Sequence, residues 1–346
     1  MSRIDRLREL LEQPLLVTRG TNIRYLTGLD SSNAALLVEP ERLRLFTDFR
    51  YLEAASQLDG IELVKVGRNL HEEAGAALEG TVAFEADVVT YAAYEALAAG
   101  GAGLVAVKGL VEGLRAVKEP GELDAMRAAS ALSDRVFEEL AGEQFVGRTE
   151  KDLAWWVDRR FRELGAEGLS FPTIVGAGPN GALPHHHPGD RRAGANELVV
   201  VDTGCVLDGY CSDCTRTFAT GELDDELAAA YELCLSAQEE ALAATLAGAY
   251  CRDVDAVARE AIDASRFAGL FGHGLGHGVG LEIHEGPVLR AEATQGAQLE
   301  PGNVVTVEPG IYIPGKAGVR IEDLVVVTDG EPERLTRVTK RLQVVG

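Results

Sequence analysis

Apolar and polar positions in the first third of the chain follow two periods, one helical and one strand-like. Residues 2–12 and 51–58 place apolar side chains at helical spacing. Short apolar runs that favour strands lie between and after them, at 14–18, 34–40, 42–48, 61–66, 82–87 and 103–109. Helices that alternate with strands in this way predict a small α/β domain.

A second group of helical patterns begins at Pro120. Proline is favoured in the first turn of a helix, and Glu122 suits the positive end of the helix dipole. The pattern continues to Leu140, and strand-like segments then separate three further helical patterns, which is typical of an α+β domain. These helical patterns lie at about 149–164, 224–247 and 253–264. We therefore divide the chain into domains of residues 1–118 and 119–346.

Composition narrows the functional classes. The chain has 346 residues, of which 46% are hydrophobic and 25% charged, which is enough for about two soluble domains. Its formal net charge of −22 argues against a nucleic-acid or anionic-membrane partner, because both require a basic surface. We expect a cytoplasmic protein, since no segment resembles a signal peptide or a membrane span. The five cysteines are expected to be reduced core thiols.

Two aspartates are predicted to converge on one hairpin, with strands at 197–204 and 210–218. The Asp-Gly pair at 208–209 is a strong two-residue turn sequence. With that turn, the numbers of paired residues add up to 417. Asp202 and Asp213 then become diagonal neighbours on one face, roughly 7–8 Å apart at Cα. Their side chains can therefore approach one cation.

A second acidic hairpin is predicted from strand-like segments at 304–312 and 318–327, which are joined by a loop at 314–316. This loop length puts Glu308 nearly opposite Glu322. Like charges that face each other destabilise a hairpin, and the flanking residues are strongly apolar. Buried ionised carboxylates need partners or metals, so we expect these two to bind metal rather than to lie on a solvated surface.

An imidazole joins the four carboxylates from a glycine-rich segment. Glycine occupies every second position from 272 to 280, which excludes a stable helix and therefore the helical zinc motif HExxH for His273 and His277. An extended glycine-rich chain instead allows close approach of backbone and substrate. The predicted metal ligands are Asp202, Asp213, His277, Glu308 and Glu322.

Ligand chemistry restricts the metal. Four carboxylates and one imidazole form a hard site for which Mn²⁺, Co²⁺ and Zn²⁺ are all plausible, whereas thiolate-preferring metals are less so. Four negative charges balance two divalent ions. Shared carboxylates would hold these ions roughly 3.5–4 Å apart, and a water between them would become acidic enough to supply hydroxide near neutral pH. The pattern predicts a two-metal hydrolase.

Four motifs, in the same order, resemble those of the pita-bread metallopeptidases, specifically the proline-selective branch of aminopeptidase P and prolidase. The motifs are VDTG (201–204) with DGYCSDCTRTF (208–218), GHGLGHGVGLEIHE (272–285), VEPGIYI (307–313) and GVRIED (318–323). Residues 22–38 and 47–51 resemble the N-terminal domain of that branch, and 118–130 resemble the start of its catalytic domain. The resemblance implies an α+β fold, in which a small α/β N-terminal domain precedes a pseudo-twofold pita-bread catalytic domain. Each half of the catalytic domain would contribute one carboxylate hairpin.

The resemblance also implies roles for side chains around the metals. His185 and His284 would contact the scissile peptide and stabilise the oxyanion, and His273 would line the proline pocket. Glu308 would also transfer a proton from the attacking water to the leaving proline nitrogen. Arg320 is a candidate on its position alone: it lies two residues before Glu322, hence on the same face, and would support either the metal carboxylates or the substrate, with a plain ion pair as an equal alternative.

The expected activity is metal-dependent hydrolysis of the bond between an N-terminal residue and a following proline. The expected partners are proline-containing peptides. The resemblance also implies a homodimer, in which the N-terminal domain would complete the site of the second copy. A strict Xaa-Pro dipeptidase is the main alternative. Some prolidases carry an arginine before the VEPG strand that binds the proline carboxylate, and the loop 288–300 offers only Arg290.

A non-catalytic binding protein on the same fold is the alternative from another class. It is disfavoured because all five ligand positions are intact. Two neighbouring histidines, His186 and His187, have no assigned role and are expected on the surface.

Overall fold

The computed structural model describes residues 1–294 and 296–346. These residues form two compact units, Met1–Arg115 and Ala116–Gly346. Each unit combines helices with strands, so the predicted α+β class is confirmed. All five cysteines are free and buried, as expected. Within the described part of the chain, no helix has both the length and the hydropathy that a bilayer crossing requires.

The N-terminal unit is built on one six-stranded sheet. Its strands are β1 (Leu15–Val17), β2 (Ala34–Val38), β3 (Leu43–Thr47), β4 (Glu62–Lys65), β5 (Thr81–Glu85) and β6 (Gly103–Val107). They follow the order β4-β3-β2-β1-β5-β6, and the central strands β1 and β2 are apolar and buried along their whole length. The helices are α1 (Arg3–Glu9), α2 (Gly20–Thr27), α3 (Leu52–Ala55), α4 (Leu70–Ala76), α5 (Tyr91–Ala98) and α6 (Leu110–Ala116). Every helix and strand predicted here is present, although the first helix ends before residue 12.

Four longer helices follow in the second unit: α7 (Pro120–Leu140), α8 (Glu150–Glu163), α9 (Asp225–Ala244) and α10 (Cys251–Asp263). Pro120 lies in the first turn of α7, as predicted, and Glu119 and Glu122 cap that turn reciprocally. Thr149 caps α8 by accepting a hydrogen bond from the backbone of Asp152. The predicted helical segments are therefore confirmed.

The strands of the second unit form four small sheets among the described residues. The strands are β7 (Gly168–Leu169), β8 (Ile174–Ala177), β9 (Leu198–Thr203), β10 (Cys205–Leu207), β11 (Tyr210–Cys211), β12 (Cys214–Ala219), β13 (Gly276–Gly278), β14 (Glu285–Leu289), β15 (Val304–Val307), β16 (Gly310–Ile313), β17 (Ala317–Arg320), β18 (Asp323–Val326) and β19 (Glu333–Arg334). The sheet orders are β11-β10-β7, β12-β9-β8, β14-β13-β15-β18-β19 and β16-β17. A short 3₁₀-helix lies at Gly178–Ala182.

The first hairpin, residues 198–219, keeps one register along its whole length. Paired residue numbers add up to 417 in both of its ladders, β9–β12 and β10–β11, as the turn sequence predicts. Asp208 and Gly209 have φ values of 50° and 79°, which are the positive angles of a type I′ turn. Between the two ladders, a Cβ on Gly204 would lie 1.9 Å from a backbone oxygen of the opposite strand, so only glycine fits there.

The second hairpin, residues 304–326, also consists of two ladders that share one register. Paired numbers add up to 630 in both β15–β18 and β16–β17. Glu308 and Glu322 therefore occupy opposite positions, where each strand leaves one ladder and enters the other. The facing positions of Glu308 and Glu322, which were expected from the loop length, are thus confirmed.

Two helices lie behind each hairpin. The apolar residues of α7 and α8 share a buried core with β8, β9 and β12, whereas those of α9 and α10 share one with the second hairpin. The second unit thus has two related halves, as the resemblance implied. The four carboxylates belong to the hairpins rather than to the helices: Asp202 lies in β9, and Asp213, Glu308 and Glu322 lie in the breaks between ladders.

Candidate metal centre

The two hairpins bring the five predicted ligands to one place. Carboxylate oxygens of Asp202, Asp213 and Glu322 all lie within 4.8 Å of one another. The Nε2 atom of His277 lies 3.7 Å from Asp213 Oδ2 and 3.4 Å from Glu308 Oε1. Four acids from two hairpins therefore meet one imidazole from β13.

The backbone around His277 fixes which ring nitrogen faces the carboxylates. Nδ1 lies 3.0 Å from the carbonyl oxygen of Gly278 and donates to it, which leaves the Nε2 lone pair on the carboxylate side. Cβ atoms on Gly276 and Gly278 would come within 2.0 Å and 2.3 Å of neighbouring backbone oxygens. These glycines therefore permit the close approach predicted from the sequence.

Electrostatics indicate that the cluster is incomplete without cations. Burial, and then the charges of the neighbouring carboxylates, raise the pKa of Asp213 and of Glu322 well above their ordinary values. Burial also raises the pKa of Glu308 to about 7, against the opposing charge of Arg320. The Oδ1 atom of Asp202 is buried and has no hydrogen-bond partner among the described residues. Divalent cations would satisfy this oxygen and relieve the repulsion, so the donor set fits them.

Arg320 extends from β17 to the first hairpin. Its Nη2 atom lies 2.6 Å from Asp202 Oδ2, and its Nε atom donates to the hydroxyl of Thr215 over 3.1 Å. A third contact, of 2.9 Å, joins Nη1 to the hydroxyl of Tyr312. Arg320 thus lies beside one of the predicted ligands and links the two hairpins.

A neutral histidine lies next to Arg320. Nδ1 of His273 donates to the Gly274 carbonyl over 2.8 Å, and its Nε2 accepts from the Tyr312 hydroxyl, also over 2.8 Å. Burial, together with the charge of Arg320, lowers the pKa of His273 to about 4. The ring of Phe271 meets this imidazole edge-on at a centroid distance of 5.0 Å. His273 therefore presents an uncharged ring, and Tyr312, which the sequence analysis missed, holds it.

His185 and His284 lie on the exposed side of the centre. The ring of His284 is 4.3 Å from that of His277, centroid to centroid. Burial, followed by the charges of His277 and His185, lowers the pKa of His284. The carbonyl oxygen of Pro184 lies 3.4 Å from Arg320 Nη1, so the chain next to His185 approaches the guanidinium that contacts Asp202.

Two threonines that sequence reasoning missed orient the glutamates. Thr215 donates to Glu322 Oε2 over 2.7 Å, and Thr306 donates to Glu308 Oε1 over 3.1 Å. Thr306 also accepts a hydrogen bond from the backbone N–H of His277. The register contained a signal for both, because Thr215 pairs directly with Asp202 and Thr306 lies two residues before Glu308.

A buried ion pair joins the hairpins behind the carboxylates. Arg216 Nη2 lies 2.9 Å from Asp323 Oδ1, and the same guanidinium donates to the backbone carbonyls of Thr215 and Glu322. Lys340 approaches the other carboxylate oxygen of Asp323 at 3.2 Å. Arg216 and Asp323 lie within the quoted motifs, but their mutual pairing had no sequence signal.

The expectation that His186 lies on the surface is wrong. Only 14% of its side chain is exposed, and its Nε2 atom lies 2.8 Å from the buried carboxylate of Glu150. His187 is exposed, as expected. Arg290 is exposed at the end of β14, and a Cβ on Gly274 would lie 2.9 Å from the Cβ of Arg290.

Comparison with known families agrees with this architecture. The sequence profile of metallopeptidase family M24 matches residues 124–329, and that of the creatinase/prolidase N-terminal domain matches residues 3–117. An uncharacterized peptidase of Bacillus subtilis, YqhT, is 36% identical over 351 residues, which covers 98% of this chain and 99% of that protein.

Solved structures show the same fold. The Xaa-Pro dipeptidase from Bacillus anthracis superposes with a TM-score of 0.96 at 35% identity, over 99% of both chains. The X-Pro aminopeptidase from Thermotoga maritima superposes with a TM-score of 0.90 at 33% identity, over 99% of this chain and 100% of that one. Family, fold and carboxylate cluster coincide in one molecule. This chain therefore belongs to metallopeptidase family M24, as a metal-dependent peptidase with a creatinase/prolidase N-terminal domain.

Proposed function

We propose that this protein hydrolyses the peptide bond between an N-terminal residue and a following proline. The observation that carries the proposal is the cluster of five side chains formed by Asp202, Asp213, His277, Glu308 and Glu322. Similarity to an Xaa-Pro dipeptidase and to an X-Pro aminopeptidase supports the substrate class.

Two divalent ions, with manganese favoured, would be held by Asp202, Asp213, His277, Glu308 and Glu322. When bound, such ions polarise a scissile carbonyl and lower the pKa of a water molecule. The unpartnered Oδ1 atom of Asp202 and the raised pKa values of Asp213 and Glu322 support this assignment.

The proton transfer is assigned to Glu308. Glu308 Oε1 lies 3.4 Å from His277 Nε2 and accepts from Thr306 over 3.1 Å, so this carboxylate is held among the predicted ligands, where a general base is required. Glu308 would take the proton from the attacking water and give it to the proline nitrogen, which carries no hydrogen while it is part of the peptide bond.

Three histidines would bind the substrate. His185 and His284 are both exposed, and the ring of His284 lies against that of His277, which supports a role in which their N–H groups would donate to the developing oxyanion. His273 would lie against the prolyl ring. Its imidazole is uncharged and both of its nitrogens are already hydrogen-bonded, so it offers an apolar wall.

The test is a peptide panel with single metals. The metal-free protein, reloaded separately with Mn²⁺, Co²⁺ or Zn²⁺, is assayed on an Xaa-Pro dipeptide, a longer Xaa-Pro peptide and matched peptides with alanine in place of proline. We expect cleavage of the prolyl peptides alone, and its loss on chelation. Equal cleavage of the alanine peptides, or no cleavage of any prolyl peptide by the loaded protein, would falsify the proposal.

A strict dipeptidase is a second candidate because of Arg290. Its backbone lies against Gly274, next to His273, where a guanidinium can meet the free carboxylate of a dipeptide. We expect Arg290→Ala to raise KM for the dipeptide and to leave the longer peptide unaffected. Arg252→Ala is the matched control, because Arg252 is exposed on α10 and paired with Asp253. An unchanged KM for the dipeptide would remove this support for the dipeptidase.

Location, oligomeric state, domain bounds and native metal complete the proposal. We propose a cytoplasmic homodimer, with domains of residues 1–118 and 119–346. Light scattering after size-exclusion chromatography tests the dimer, cell fractionation tests the location, and metal analysis of the purified protein tests manganese.

A further inference from the structure

A buried carboxylate at the start of α8 binds four separate donors. Oε1 of Glu150 accepts from the backbone N–H of Ala177 and from the side-chain amide of Asn180, each over 2.9 Å. Oε2 accepts from the Gly189 N–H over 2.9 Å and lies 2.8 Å from His186 Nε2. The side chain of Glu150 is fully buried, so these four contacts replace its hydration.

All four donors belong to one segment, residues 177–189, which we name the His185 loop. Glu150 therefore fixes this loop at its two ends and at two points between them. On the other side of His185, Arg320 Nη1 approaches the carbonyl oxygen of Pro184 at 3.4 Å. Both sequence neighbours of His185 are therefore held: Pro184 contacts Arg320, and His186 contacts Glu150.

The chemistry of the pair assigns the donor. An ionised carboxylate only accepts hydrogen bonds, so His186 must donate from Nε2. Burial opposes the charge of Glu150, but the bonds from Ala177, His186 and Gly189 hold the pKa of this carboxyl below its ordinary value. The anchor is therefore an ionised group across the neutral range.

We propose that His186 is a positioning residue, whose hydrogen bond to Glu150 holds His185 in the orientation that the reaction requires. The inference rests on the proposed function, in which His185 contacts the scissile peptide. His186 itself faces Glu150 rather than the metal ligands, so it acts only through its neighbour.

The first test compares single substitutions on a prolyl dipeptide. His186→Leu removes the donor, and because a small misplacement of a binding group is costly, we expect kcat to fall by about 10- to 100-fold. His186→Gln restores most of it, because the glutamine amide nitrogen reaches about as far from the backbone as Nε2. His187→Leu is the matched control on the exposed neighbour, and we expect it to behave like the parent protein.

The second test is a double-mutant cycle with His185→Ala. If His186 acts through His185, the double variant His185→Ala/His186→Leu loses no more activity than His185→Ala alone. A merely structural role would add its loss in both backgrounds. Additive losses, or full activity of His186→Leu, overturn the proposal.

Hydrogen exchange gives a readout that needs no activity. The amides of Ala177 and Gly189 donate to Glu150, so His186→Leu is expected to speed exchange in residues 177–189, whereas His187→Leu is not. Unchanged exchange in His186→Leu also overturns the proposal.

The experiments distinguish failure of the proposed function from failure of the positioning role of His186. If the parent protein cleaves no prolyl peptide but hydrogen exchange in His186→Leu changes as expected, the proposed function is wrong. The contact by which His186 and Glu150 hold the His185 loop is then still supported. If the parent protein is active but the activity losses of His185→Ala and His186→Leu are additive, only the positioning role of His186 is wrong.

Discussion

The two carboxylate hairpins follow one plan but place their acids differently. In the first hairpin, the short side chains of Asp202 and Asp213 are diagonal neighbours, and a glycine faces Asp213. In the second hairpin, the longer side chains of Glu308 and Glu322 are directly opposite. In both, an acid lies where the strand changes from one ladder to another. The break frees the side chain from regular cross-strand contacts and turns it towards the centre.

The difference shows that neither hairpin is complete by itself. Arg320 of the second hairpin pairs with Asp202 of the first, and Thr215 of the first donates to Glu322 of the second. Behind the carboxylates, Arg216 of the first hairpin likewise pairs with Asp323 of the second. Each hairpin thus supplies the polar partners that the acids of the other require.

The largest effect is expected from Glu308→Gln compared with Asp213→Asn. Both remove a carboxylate from the metal centre, but only Glu308 is also assigned the proton transfer. We expect Glu308→Gln to lower kcat by about 10²- to 10⁴-fold even at saturating metal. Activity of Asp213→Asn should rise again as the metal concentration is raised. Metal titrations followed by activity distinguish the two, and full recovery of Glu308→Gln would remove its separate role.

Breaking the buried pair between the hairpins is expected to cost stability. Asp323→Asn leaves Arg216 and Lys340 without their anion in the interior, and removal of one partner of a buried pair typically costs about 3–5 kcal/mol. Denaturant unfolding measures the loss. The control is Arg135→Ala, which breaks an exposed pair with Glu139 on α7 and should cost less than about 1 kcal/mol. Equal costs would show that the buried pair stabilises the protein no more than an exposed pair does.

A smaller effect separates the two supporting threonines. Groups that orient metal ligands typically contribute about 10- to 100-fold in metal affinity, and we expect this loss from both Thr215→Ala and Thr306→Ala. Thr215→Ala also removes a contact of Arg320, so it should have the larger effect. Calorimetric metal titration tests the order, and Thr217→Ser, which keeps its hydroxyl contact to the Arg320 backbone, is the control.

The smallest effect is expected from the turns. Gly209 and Gly315 have φ values of 79° and 71°, and a Cβ on Gly315 would enter open space. Because L side chains are strained at positive φ, alanine should cost about 1–2 kcal/mol of unfolding free energy at each position, while metal affinity stays unchanged. Gly121→Ala, in the first turn of α7, is the unstrained control. A loss of metal affinity confined to Gly209→Ala would show that the tight turn sets the ligand positions of the first hairpin.

Much of the centre could be predicted because the relevant signals are local. The Asp-Gly turn set the register of the first hairpin, and the loop length set that of the second. The alternate glycines kept the chain around His277 extended. Together these features placed the acids on their hairpins, since side-chain direction in a strand follows from position alone.

The contacts between the hairpins, and the location of His186, were decided only by the tertiary structure. Arg320 meets Asp202 across 118 residues of sequence, and His186 meets Glu150 across 36. The sequence by itself determined which groups are charged and to which face of its strand each side chain points. Which charge neutralises which depends on how the hairpins and helices pack. That packing is fixed by the burial of apolar surface, which carries no information about individual polar partners until the chain has folded.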